Sequence, residues 1–260
     1  MYASMFLTRF INMSTKVIKS CTGKLAYMSS PKWRFFLAAL IRRMIILGAL
    51  FITGLRVVGG KKISKTQQTI YFANHQSHGD FVLIWAALPK DIRRLTRPVA
   101  GQDYWSKSSL RKFIGCDVFN SLLIHRDKKG ESFEQLMNVL KAGDSLIIFP
   151  EGTRNTSDEV LLPFKSGLYH LSQQLDRVEC VPVWIENLQR VLPKGSFLPV
   201  PLSCSIRFGD PLERIPNETK NDFLQRATQS LLNLRPVYDL ELESDLLAQQ
   251  FHANNLKEDR

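Results

Sequence analysis

From Thr69 onward the chain alternates short apolar runs, rich in β-branched and aromatic residues, with stretches of helical periodicity, and this alternation constrains the fold more than any other feature. The runs are Thr69–Ala73, Arg97–Ala100, Ser121–Ile124, Ser145–Phe149, Val181–Ile185 and Ser203–Phe208, each of strand length and bounded by polar or turn residues. Between them, Ser132–Lys141 sets Phe133, Leu136, Met137 and Leu140 at i, i+3, i+4 and i+7. Ser132 with Gln135 has the form of a capping box, and Gly143 suits a helix stop. Asp222–Leu234 is a second amphipathic helix, and Leu240–Arg260 reads as a polar tail, helical or frayed. Strand and helix in alternation predict an α/β fold, a central sheet covered by helices, over residues 56–236. Residues 237–260 form the polar C-terminal tail.

Three of these runs end in polar clusters. Thr69–Ala73 leads into Asn74-His75-Gln76-Ser77-His78-Gly79-Asp80, Ser121–Ile124 into His125-Arg126, and Ser145–Ile148 into Phe149-Pro150-Glu151-Gly152-Thr153-Arg154. In an open α/β sheet, clusters at the carboxyl ends of strands share one edge, where such sheets place their sites.

The N-terminal quarter is of another kind. The chain carries 35 Lys and Arg against 24 Asp and Glu, a net charge of +11, yet its first carboxylate is Asp80. Twelve of the cations lie in residues 1–65, leaving 23 bases against 24 acids in the rest. Within this cationic quarter, Phe35–Leu55 is apolar except for Arg42 and Arg43. A nucleic-acid-binding arm would be polar; a segment both cationic and apolar points to a membrane surface. Twenty-one helical residues reach about 31 Å, the thickness of a hydrocarbon core. Two arginines within the stretch cost roughly 5–7 kcal/mol on insertion, about what its Phe, Leu and Ile side chains return. We read residues 1–55 as a membrane-associating segment lying in plane or re-entrant, with a single span as the alternative. A soluble core helix is the third reading, disfavoured because buried arginines are costly, and the acid-free start also has the composition of an organellar transit peptide. The mean hydropathy of −0.12 excludes a polytopic membrane protein. Cys21, Cys116, Cys180 and Cys204 are scattered with no C-x-x-C pair, which excludes a disulfide scaffold and a thiolate zinc site.

The clusters suggest chemistry. His75 and Asp80 flank a strand-to-helix turn that folds a carboxylate back onto an imidazole, fixing its tautomer and raising the basicity of the other nitrogen. This is the orienting half of a triad without its own serine, which leaves two readings open: a satisfied structural pair, or a base for a hydroxyl that a substrate brings. His75-x-x-His78 with Asp80 is the metal-site alternative, but no further ligand cluster supports it. In the third cluster, Pro150 and Gly152 set a tight turn that presents backbone N–H groups beside Thr153 and Arg154, a suitable cradle for phosphate. Glu151 there is a partner for Arg154 or for a substrate hydroxyl.

These residues also carry a resemblance. His75–Asp80 is similar to the H-x-x-x-x-D element of the glycerolipid acyltransferases, and Asn74-His75-Gln76-Ser77 resembles its wording in the 1-acylglycerol-3-phosphate acyltransferases. Phe149–Arg154 matches that family's F-P-E-G-T-R element letter for letter. Val181-Pro182-Val183 resembles a later element. Two departures stand out. His125 takes the place of an aspartate before Arg126, and Ala100–Trp105 has no lysine where relatives have A-K-x-E-L. The resemblance covers about residues 55–210.

The resemblance implies acyl transfer from a thioester, acyl-CoA or an acyl-carrier protein, to the hydroxyl of a lysophospholipid, 1-acylglycerol 3-phosphate, giving phosphatidate. In that reading His75 is the general base and Asp80 orients it. Glu151, Gly152, Thr153 and Arg154, with Arg126, hold the acceptor headgroup, while Gly79 or Lys165 supports the oxyanion. No metal, redox cofactor or nucleic acid is implied, and the place of action is a membrane's cytoplasmic face, that of a bacterial inner membrane or an organellar or ER equivalent. A phosphate-free lysolipid acceptor, such as a lyso-aminolipid, is the alternative, and a catalytically silent lipid-binding relative is another.

Overall fold

A computed structural model describes residues 32–59, 63, 67–77, 79–125, 127–175, 177–191 and 202–236. The segment 1–31, the tail 237–260, His78 and Arg126 lie outside the described residues. The strands are β1 (Arg56–Val58), β2 (Gln68–Ala73), β3 (Thr96–Gly101), β4 (Leu122–Ile124), β5 (Ser145–Ile148), β6 (Val178–Glu186) and β7 (Ser205–Phe208). The helices are α1 (Lys32–Thr53), α2 (Asp80–Ala87), α3 (Lys90–Arg94), α4 (Gln102–Trp105), α5 (Ser109–Lys112), α6 (Lys129–Lys141), α7 (Gly167–Gln174), α8 (Leu188–Val191) and α9 (Lys220–Leu232). A π-helical segment, Phe113–Val118, continues α5.

The sheet runs β1-β7-β6-β2-β5-β3-β4, with every pairing parallel except β6 with β7. Both of its faces are covered, so its inner strands are largely buried and alternate residues feed two cores. Tyr71 and Ala73 of β2, Ile147 of β5 and Val183 of β6 pack with α1, α2 and the π-helical segment. Ile70, Phe72, Leu146 and Trp184 pack on the other face with α6, α7 and α9.

The six strands expected from the sequence are all present, and β1 is added. Only three residues long, β1 is fixed by its contacts: the Arg56 N–H donates to the Cys204 carbonyl at 2.9 Å. Gly59, at φ +74°, follows it closely, and a Cβ there would stand 2.3 Å from the Phe208 carbonyl oxygen. Helix α6 begins at Lys129, three residues before the expected start, so Ser132 is not its cap. Its hydroxyl donates instead to the His125 carbonyl at 2.6 Å, pinning the end of β4. Gly143, at φ +90°, ends the helix as expected. Helix α9 is capped by Thr219, which accepts from the Asp222 N–H at 3.2 Å.

Helix α1, whose Trp33–Thr53 stretch is long and apolar enough to cross a membrane, lies along the domain. Its inner row of Ala38, Ile41, Ile45, Ala49 and Ile52 joins the first core. Arg34 pairs with Asp117 at 3.0 Å near one end, and at the other the Thr53 carbonyl accepts from the Cys204 N–H at 2.8 Å. The outer row of Phe36, Leu40, Met44, Leu47 and Phe51 is exposed, Phe36 at 77% and Phe51 at 90%. Arg42 turns toward the domain, its guanidinium 5.7 Å over the Trp85 ring.

Candidate active site

The register brings two of the three polar clusters together. Phe72 pairs with Ile148 and Ala73 with Val183, so the loops leaving β2 and β5 rise side by side at one sheet edge. Strand β4 points the same way, but it stands three strands from β2 in the sheet order, about 14 Å at the usual ladder spacing. The cluster after β4 therefore leaves the sheet to one side of the other two, and of Arg126, which lies outside the described residues, nothing more is placed.

Asn74 begins the β2 loop by continuing the ladder with its side chain. Its amide donates to the Ile185 carbonyl at 2.9 Å, and its Oδ1 accepts the Ile185 N–H at 2.8 Å. His75 is then held by its backbone on both sides. Its N–H donates to Glu151 Oε1 at 2.8 Å, and its carbonyl accepts the Asn155 N–H at 2.7 Å. The imidazole stacks on Phe149, centroids 4.1 Å apart and planes inclined by 19°, and its Nδ1 meets Asp80 Oδ2 at 2.8 Å. Asp80, the first residue of α2 and 1% exposed, uses the same oxygen to accept the N–H groups of Gln76 at 2.7 Å and Ser77 at 2.9 Å. With Nδ1–H donated to the carboxylate, the tautomer is set and the lone pair is left on Nε2.

Glu151 departs from the sequence expectation of a bond to Arg154 or to a substrate hydroxyl. It is 2% exposed and divides its carboxylate between two main-chain donors, the His75 N–H and the Leu162 N–H at 2.9 Å. Burial pushes its carboxyl above the usual carboxylate range, against the lowering effect of the Leu162 and His75 N–H groups. Thr153 is exposed and Arg154 half-buried on the same turn. Gly152, at φ +71°, is the pivot of that turn. A Cβ there would lie 2.8 Å from Lys165 Cδ and 3.0 Å from its Nζ, so the lysine side chain runs directly across the glycine. The Lys165 N–H donates to the Pro150 carbonyl at 2.8 Å, tying the two ends of this loop together. The Gly79 N–H donates to Ser77 Oγ at 3.2 Å.

Phe149, Asn74 and Asn155 are the members that pattern reasoning missed as parts of the site. Two of them stood inside quoted motifs, and Asn155 follows one directly, so adjacency to a motif was the available signal. An open groove of about 420 Å³, lined by Gln102, Asp103, Ser106, Lys107, His125 and Asp127, lies at the same sheet edge beyond β3 and β4. A smaller cavity of about 240 Å³ near Gln67 and Val178 is at the opposite edge, remote from His75. Cys116, Cys180 and Cys204 are buried. Burial pushes the Cys180 thiol up to about 12 and the Cys204 thiol up to about 11, which keeps both protonated and unreactive.

A buried carboxylate orienting an imidazole beside a basic, glycine-pivoted turn, on a helix-covered sheet, is the layout of a base-assisted group-transfer site. Comparison narrows the class. A family model described as Acyltransferase matches residues 54–186, just over half of the chain, and the chain belongs to the acyltransferase family. It is 33% identical over 141 residues to the 1-acyl-sn-glycerol-3-phosphate acyltransferase of Saccharomyces cerevisiae, which covers 51% of this chain and 43% of that one. It is 29% identical over 166 residues to the enzyme of the same name from Cocos nucifera, covering 60% and 49%. The chain thus spans less than half the length of these relatives. Among solved structures, the 1-acyl-sn-glycerophosphate acyltransferase of Thermotoga maritima shares the fold, with a TM-score of 0.60 at 19% identity over 88% of this chain and 94% of that one.

Proposed function

We propose that the chain transfers a fatty acyl group from a thioester to the free hydroxyl of 1-acylglycerol 3-phosphate. The observation that carries this reading is the 2.8 Å bond between His75 Nδ1 and Asp80, locked to the turn that bears Arg154. The names of the relatives support the acceptor. His75 Nε2 takes the proton of the acceptor hydroxyl as its oxygen attacks the thioester carbonyl. The tetrahedral intermediate collapses, the C–S bond breaks, and the imidazolium returns the proton to the departing thiolate. The buried thiols favour direct transfer over an acyl-cysteine intermediate. The donor is acyl-CoA or an acyl-carrier protein, and no metal or redox cofactor takes part.

Arg154 and Thr153, with Arg126, hold the phosphate, and Gly152 shapes the turn. Glu151 positions the base and the turn. Gly79 already donates its N–H to Ser77, which leaves Lys165 as the better support for the developing oxyanion. Lys165→Met preserves the chain lying over Gly152 and removes only the charge. It is expected to lower kcat by about 10²-fold or more, the usual loss of one oxyanion donor, with little change in KM. The acceptor assignment is tested by Arg154→Lys, which keeps charge but loses the fork that grips a phosphate in two places. Its KM for lysophosphatidate should rise about tenfold or more, with a smaller change in turnover. An unchanged KM in that variant, with wild type preferring a lyso-aminolipid, would favour the phosphate-free acceptor.

The domain acts at a membrane surface, and α1 lies in that surface. The helix is attached along its whole length, so spanning would draw the α/β domain into hydrocarbon; lying flat puts only the outer row there. Deleting the arm would also uncover the first core, so point changes are the cleaner test. Phe36→Asp with Phe51→Asp should lower vesicle partitioning by more than about 100-fold, since each buried aromatic is worth roughly 1.5–3 kcal/mol. Wild type should be released from anionic vesicles by salt; extraction by detergent alone would indicate a span.

A further inference from the structure

Beyond α1, we propose that residues 106–112 form a second membrane contact, a cationic knob that docks on anionic lipid beside the in-plane helix; this rests on the membrane-surface reading above. The segment Ser106-Lys107-Ser108-Ser109-Leu110-Arg111-Lys112 is exposed at every residue. It holds three cations and no acid, and at its centre Leu110 is 66% exposed. The segment is ordered: the Ser108 hydroxyl caps α5 by accepting the Arg111 N–H at 3.2 Å, and the Arg111 guanidinium stacks 4.6 Å over the Tyr104 ring. An exposed leucine on an ordered turn that carries three cations suits the boundary between lipid headgroups and acyl chains, where the cations meet phosphate and the leucine enters hydrocarbon.

Continuity with α1 selects the membrane as the partner. Helix α5 runs directly into the π-helical segment, and that segment receives the start of α1. Arg34 lies 5.6 Å over the Phe113 ring and pairs with Asp117 at 3.0 Å. The knob and the first exposed side chains of α1, Trp33 and Phe36, therefore border the same support. Asp117, the acid that follows the knob, is already engaged by Arg34. With α1 holding the domain flat, a second contact off the helix axis would stop it from rolling about that axis and fix how the sheet edge bearing His75 meets the surface.

The test uses the full chain and vesicles of phosphatidylcholine with or without phosphatidylglycerol. Lys107→Gln, Arg111→Gln and Lys112→Gln together should weaken binding to the anionic vesicles by about 100-fold, at about fivefold per cation near an anionic surface. Binding to pure phosphatidylcholine should be unchanged. Leu110→Asp should weaken binding to both. These positions are exposed, so the melting temperature and turnover on detergent-dispersed substrate should match wild type. The Phe36/Phe51 variant serves as the control for the membrane reading itself. If it binds both vesicles like wild type, the membrane reading is wrong and the knob falls with it. If it loses binding while the triple variant binds like wild type, only the knob is refuted. A triple variant that keeps vesicle binding and loses turnover only with an acyl-carrier-protein donor would overturn the proposal in favour of a docking site for that acidic protein.

Discussion

Replacing His75 by alanine is expected to lower acyl transfer by at least 10²–10⁴-fold, the usual range for general-base assistance, with lost positioning adding to it. The fold should survive. The backbone bonds of His75 to Glu151 and Asn155 do not involve its side chain, and Asp80 keeps its two N–H donors from Gln76 and Ser77. A thermal melt should therefore move by only a few degrees. Asp80→Asn is a graded companion. One oxygen of Asp80 accepts all three bonds, so an amide oxygen can take its place, at the cost of the charge and of an NH₂ buried where Oδ1 has no partner. Its turnover should lie between wild type and His75→Ala. His78→Ala should be mild, because the imidazole paired with Asp80 is that of His75. Equal losses at both histidines, together with stoichiometric bound metal, would mean that the metal reading was right.

The second large effect is expected at Glu151, and it should appear in stability as well as rate. Glu151→Ala strands two half-buried main-chain donors, the N–H groups of His75 and Leu162, at about 1–3 kcal/mol each. For a chain of this size that corresponds to a melting temperature lower by roughly 5–15 °C. Glu151→Gln should recover only part of the loss, since an amide offers one acceptor where two are needed and turns an NH₂ toward the other donor. In both variants kcat should fall with the misplaced base, while acceptor KM changes less. If the melting temperature holds and KM rises, Glu151 is a substrate ligand and the positioning role is wrong.

The sequence carried the sheet well because both of its faces are buried. Runs such as Leu146–Phe149 are continuously apolar, and their length and flanking turns betray them. It did not carry β1, whose three residues belong to a strand only through β7, nearly 150 positions away in the chain. The start of α6 was misplaced for a similar reason: Ser132 has the residue type of a cap, yet its hydroxyl is claimed by the His125 carbonyl from outside the helix. At the site, the bond between His75 and Asp80 was legible because it spans one local turn. Glu151 was not. Its motif marked it as important, but its partners are backbone groups at positions 75 and 162, and a pattern of side chains cannot reveal a main-chain acceptor's clients. The strands themselves show the other limit, since a shared sheet edge says nothing about strand order, and order sets β4 three strands away from β2.

The central claim is that this site acylates a lysophosphatidate hydroxyl with His75 as the base. The most direct measurement incubates the purified full chain with acyl-CoA or acyl-carrier-protein thioester and a panel of lysolipids, and reads products by mass spectrometry. We expect phosphatidate carrying the donor's acyl chain, formed fastest from 1-acylglycerol 3-phosphate and reduced at least 10²-fold by His75→Ala. Acylation confined to a lyso-aminolipid, or no acylation of any lysolipid by a folded, membrane-bound protein, would contradict the account.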